Sequence, residues 1–148
     1  MQKKPLIMVM DGQGGRMGSL FIEKWIAAQG KGAAQLVAIG TNSAATAAML
    51  RAGAEAGATG ENPVRVNAAR ADYIVGPIGI LGADAMYGEV TEAMAAAVGR
   101  SEALKVLMPV NNCSFTVVGV QPLSMAASAQ AAVEAVVAEE TRRGGLVV

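Results

Sequence analysis

The chain is 148 residues long, 53% apolar and only 16% charged, with twelve basic residues balancing twelve acidic ones, no histidine and a single cysteine. That length suits one domain, residues 1–148, and is too short for a cofactor domain plus a substrate domain; the even charge, with no basic block, excludes an electrostatic footprint for nucleic acid or an anionic membrane surface. Without histidine the commonest general base and metal ligand is missing, and one cysteine makes neither a disulfide framework nor a zinc site, so no metal is expected.

The opening run "PLIMVM" (5–10) follows two lysines, as the core of a secretion signal would, but it is too short and no small-residue cleavage site follows. It reads as a buried first strand, and the protein as cytoplasmic. It leads into "DGQGGRMG" (11–18), after which Met17, Phe21, Trp25 and Ala28 recur at helical spacing. A second strand, "QLVAIG" (35–40), passes through "GTNSAAT" (40–46) into a helix striped by Ala45, Met49 and Ala52. The stretch "GAEAGATGENPVRVN" (53–67) is punctuated by glycine and polar in its middle, which predicts a long binding loop or lid carrying Glu61 and Asn62 and ending in a short strand at 64–67.

A fourth strand, "YIVG" (73–76), runs into "GPIGIL" (76–81) and then a helix with Met86, Val90, Met94 and Val98 on one stripe and Asp84 in its first turn. The fifth and sixth strands, "KVLMPV" (105–110) and "FTVVGV" (115–120), are separated only by "NNCS" (111–114), which allows a hairpin and one antiparallel edge strand. Met125, Ala129, Val133 and Val136 mark a last helix. Strands apolar on both faces, alternating with amphipathic helices, predict an α/β fold: a three-layer, doubly wound, mostly parallel sheet. No apolar run is long enough to span a bilayer, and so low a charge content predicts that another copy covers part of the surface in a homo-oligomer.

In an open α/β sheet, ligands bind outside the carboxyl ends of the strands, and four unusual loops fall there. Gly12, Gly15 and Gly18 satisfy G-x-x-G-x-x-G: Gly12 permits a tight turn, Gly14 and Gly15 let backbone N–H groups approach an anion, and Gly18 lets the helix lie close to the strand. Gln13 and Arg16 belong to the same loop, Arg16 as a phosphate partner or a solvated first-turn arginine, and Met17 follows with its side chain assigned to the core. Asp11 caps the turn or holds a magnesium ion, but a magnesium phosphate-transfer site needs a second acid beside it and a lysine at a later strand exit, and neither is visible. A P-loop is excluded because no Lys–Ser or Lys–Thr follows the glycines. After the second strand, neutral Thr41 and Asn42 replace the acid that reads the ribose of NAD; they fit a 2′-phosphate or serve as helix caps. Gly76, Pro77 and Ile78 offer close backbone approach, Asn111 an amide for a base or nicotinamide edge or else a turn, and Cys113 a small buried apolar residue.

The segment "GQGGRMG" (12–18) resembles the cofactor loop of dihydrodipicolinate reductases, which bind NAD(P)H. That resemblance places Arg16 near the adenosine phosphate end; it ends within about 20 residues and lacks that family's catalytic motif, so the reductase activity does not follow. Over nearly the whole chain, "DGQGGRMG", "GTNSAATAAMLRAGAEAGATGENPV", "ADYIVGPIGI" and "MPVNNC" together resemble a family of small single-domain bacterial proteins classified only as a domain of unknown function, which implies a Rossmann-like cytoplasmic domain. The expectation is a module that binds a nucleotide or dinucleotide, NADP slightly preferred over NAD, through Gly12, Gln13, Gly14, Gly15, Arg16, Met17, Thr41, Asn42, Gly76, Pro77, Ile78 and Asn111. The alternative is a small NAD(P)-dependent oxidoreductase or nucleotide-dependent transferase completed by oligomerisation, with Asp11, Glu61, Asp84 or Tyr87 moving the proton.

Overall fold

In the computed structural model, which describes residues 3–109 and 114–145, five strands form one sheet and every pairing is parallel. The strands are β1 (Leu6–Asp11), β2 (Gln35–Gly40), β3 (Ala56–Thr59), β4 (Tyr73–Pro77) and β5 (Leu104–Met108). The helices are α1 (Arg16–Gln29), α2 (Ser43–Ala52), α3 (Glu61–Arg70), α4 (Glu92–Arg100) and α5 (Met125–Arg142), with a 3₁₀ turn at Ile78–Leu81. The strand order is β3-β2-β1-β4-β5.

Two cores explain the three layers. Side chains of β1 alternate between faces: Ile7 and Val9 pack with Phe21 and Trp25 of α1, Met49 of α2 and Val133 of α5, while Met8 and Met10 pack with Val64 of α3 and Met94 and Val98 of α4. All four of those β1 side chains are fully buried, which is why the strand reads as an unbroken apolar run instead of an alternating one. At the opposite end of the sheet from the glycine loop, the buried Tyr73 hydroxyl donates to Glu140 Oε1 at 2.6 Å and the Arg143 guanidinium lies 4.8 Å from the Tyr73 ring centre. Together they fasten the end of α5 to the start of β4.

Three expectations are corrected by the structure. Residues 64–67 are helical, and the strand of that region is β3, eight residues earlier at its start, so 53–67 is no lid. Pro63 sits in the first turn of α3, where a missing N–H costs nothing, and Val64 and Ala68 then share its buried face. β3 is too small and too polar to announce itself; its state is imposed by pairing with β2, Val37↔Ala56 through Gly40↔Thr59. The helix expected from Met86 begins only at Glu92, capped by the Thr91 side chain, because Asp84, Met86, Tyr87 and Gly88 all take left-handed backbone conformations that no right-handed helix accommodates. Residues 115–120 form no strand and the described sheet has no antiparallel edge; the segment is exposed throughout, and β propensity counts only on a pleated, half-buried surface.

The topology also has a switch point. From β1 the chain moves outward to β2 and β3, then crosses back through α3 to β4 on the other side of β1. The crevice at the carboxyl ends of β1 and β4 is therefore the switch point of the fold. Among the described residues no helix is long and apolar enough to cross a membrane.

Candidate functional site

The loop after β1 is organised by Asp11. Its Oδ1 accepts the Gly12 N–H at 2.7 Å and its Oδ2 accepts the Gly18 N–H at 2.8 Å, so one carboxylate ties the start of the loop to the first turns of α1. Asp11 is 4% exposed. Burial, opposed by those N–H groups and that of Met17 and reinforced by the Glu89 charge, pushes its pKa up to about 6. A turn-holding role for Asp11 thus follows from geometry, as the sequence reading preferred.

Within the loop the glycines differ in what they tolerate. Gly15 caps α1 with φ 73°, and a Cβ there would lie 2.8 Å from the Ala45 carbonyl oxygen. Gly18 has Met49 Sδ 2.5 Å from the position of a Cβ, the close packing of α1 on β1 and α2 that the motif demands. Gly14 has nothing within 4 Å of a Cβ and stands open to the cleft. That cleft, about 690 Å³, is lined by Asp11 through Met17, by Pro77, Gly79 and the 85–87 segment, and by Pro109, Ser114, Leu123 and Met125. Arg16, in the first turn of α1, is exposed on its rim and makes no ion pair among the described residues.

Beside the cleft, at the end of β2, lies a second cluster. Glu89 Oε1 accepts from the Gln13 N–H at 2.9 Å, the Thr41 hydroxyl at 2.7 Å and the Asn42 amide at 2.7 Å. Burial raises the Glu89 carboxyl, but the three donors outweigh it and hold its pKa below the ordinary glutamate value. Asn42 also caps α2, its Oδ1 accepting from Ala45 N at 2.9 Å, and its amide reaches the Gln13 carbonyl at 2.9 Å. The capping reading of Asn42 is therefore realised.

Of the sequence-derived set, Gly12, Gln13, Gly14, Gly15, Arg16, Met17 and Pro77 meet around the cleft. Thr41 and Asn42 gather on Glu89 instead. Gly76 is absent from the cleft lining: a Cβ there would collide with the Met10 carbonyl oxygen, so its bareness serves the β4–β1 contact. Ile78 also lies off the lining, in the 3₁₀ turn. Asn111 and Cys113 fall outside the described residues. Glu61 begins α3, away from the cleft, and Asp84 sits in the irregular 82–90 segment. Tyr87 is fully exposed in the cleft lining. Sequence reasoning missed the docking of Glu89 onto the glycine loop; the available signal was Gly82 and Gly88 in the seven residues before it, too much glycine for the helix assigned there. No group of three or more histidine, cysteine or acidic side chains stands together among the described residues.

The sequence from residue 6 to residue 141 matches the model of a family described as a domain of unknown function, DUF3842. The chain belongs to that family. No curated protein matches it in sequence. Among solved structures it is similar to an imine reductase from Myxococcus stipitatus, a variant in complex with NAD+, at 25% identity and a TM-score of 0.37, over 51% of this chain and 23% of the reductase. The chain thus spans under a quarter of that enzyme's length.

Proposed function

We propose that this DUF3842 protein binds a nucleotide or dinucleotide of the NAD or NADP kind, with its phosphates on the glycine loop at the carboxyl edge of the sheet, and acts as a sensor or binding module. The observation that carries the reading is the cleft at the switch point: it is lined by the start of a 14-residue helix, with a bare Gly14 and an exposed Arg16 beside it. Backbone N–H groups at a helix start and an adjacent guanidinium complement a phosphate group. The poverty of reactive side chains, with a buried Asp11 already committed to two N–H groups, favours binding over turnover. Exposed Val118, Val120 and Leu123 support the homo-oligomer inferred from composition, which native mass spectrometry would read.

The test is Gly14→Val. A Cβ at this position meets no protein atom within 4 Å, so the variant should fold, yet its side chain fills the proposed anion position. Thermal-shift titration with NAD+, NADP+ and ATP should show stabilisation growing with ligand concentration for the wild type and none for the variant. Equal stabilisation of both proteins by any of these ligands would remove the glycine loop from the site.

A further inference from the structure

The cluster at the end of β2 names the ligand more closely, on the footing of the nucleotide reading above. We propose that Glu89 reads the ribose next to the loop-bound phosphates, and that the ligand is a nucleotide with a free 2′-hydroxyl, of the NAD type, rather than a 2′-phosphorylated one.

In this topology a nucleotide whose phosphates rest on the loop after β1 lays its neighbouring ribose over the end of β2. There the chain itself supplies Gly40, Thr41 and Asn42, with no acid. Glu89 fills that gap from a segment 48 residues further on than Thr41, by the hydrogen bond between them. Its Oε1 is fixed by three donors from two different loops, and its Oε2 takes part in none of those bonds. A fixed, ionised carboxylate whose second oxygen takes no part in those bonds is an acceptor for a hydroxyl pair. A 2′-phosphate would meet that charge at close range, and the hydroxyl and amide that could have held it are already committed to Glu89. Met86, whose Sδ shares the space above Gly12 with Glu89 Oε1, is a flexible side chain able to yield to a nucleoside. The preference for NADP suggested by a neutral Thr41 and Asn42 is thereby reversed.

The experiment is isothermal titration of the full chain with NAD+ and NADP+, which differ only in the 2′-phosphate, for the wild type and Glu89→Gln. Wild type should bind NAD+ at least about tenfold more tightly, the size of effect that a like-charge contact produces, and Glu89→Gln should narrow the gap to within about threefold while the protein stays folded. NADP+ binding as tightly as NAD+ to the wild type, which requires no variant, would overturn the inference and show that the three donors release Glu89 to take a phosphate. So would a variant that weakens both ligands equally, since Glu89 would then only hold the loop. Binding of neither ligand by the wild type would remove the dinucleotide reading, and this inference with it.

Discussion

Asp11 gives the sharpest quantitative test of the loop. Burial moves its carboxyl from the ordinary 3.8 to about 6, roughly two units, and at about 1.4 kcal/mol per unit its ionisation within the fold costs on the order of 3 kcal/mol. The folded state holds the proton more tightly than the unfolded chain, so Asp11's contribution is greatest below pH 4, declines as pH rises through 6, and is constant above. In Asp11→Asn that titration is gone. The amide oxygen still accepts one loop N–H, but its NH₂ faces the other, a pH-independent cost of about 1–3 kcal/mol. Urea unfolding of both proteins at intervals from pH 4 to pH 8 isolates the effect, because every other group titrates in both and cancels in the difference. The deficit of the variant should shrink by about 2 kcal/mol between pH 4 and pH 7. A difference that stays flat within about 0.5 kcal/mol would show that Asp11 titrates alike in the folded and unfolded chain, and the account of the buried bracket would be wrong.

Gly15→Val should behave unlike Gly14→Val: the left-handed backbone and the Ala45 carbonyl 2.8 Å from a Cβ predict a loss of at least about 2 kcal/mol in unfolding free energy, and a variant as stable as wild type would mean that the loop readily adopts another path. Here the structure separates two glycines to which the sequence assigns one role, the approach of backbone N–H groups to an anion. Tyr73→Phe leaves the buried Glu140 carboxylate without its 2.6 Å donor and should cost about 1–3 kcal/mol by urea unfolding. Ligand affinity should be untouched, since the cleft lies at the other end of the sheet.

How much of this was legible depends on where the controlling contact lies. β2 occupies its apolar run residue for residue, and β1, β4 and β5 fall within one or two residues of theirs, because a strand covered on both faces must be apolar throughout. The glycine loop was legible for a similar reason, as each constraint acts within a few residues of Asp11. β3 was not: "AGAT" (56–59) gains its state from the β2 ladder, and Gly57 is small because a Cβ would press on the Ala38 carbonyl at 3.1 Å and on α2. Phe115, Val117 and Val120 have strand-like side chains but are 41–48% exposed, and β propensity without burial decides nothing. The Glu89 cluster joins residues 13, 41, 42 and 89, and no local pattern in the sequence brings those four positions together.

The two carboxylates also make different demands on an anion placed between them. Glu89, held below the ordinary range by its donors, stays ionised whether or not the loop is occupied. Asp11, at about 6 and already raised in part by Glu89, lines the cleft, so a phosphate beside it disfavours its ionised form further. Ligand binding and proton uptake at Asp11 are then linked: the protonated protein binds more tightly, and above pH 6 each binding event either draws a proton or proceeds against the charge. NAD+ affinity of the wild type should rise as pH falls from about 8 to about 6, level off below that, and change little in Asp11→Asn. Titrations at pH 6.5 in two buffers of different ionisation enthalpy should register uptake of a fraction of a proton in the wild type alone. An affinity independent of pH in the wild type would place the phosphate away from Asp11, and with it the ligand away from that part of the cleft lining.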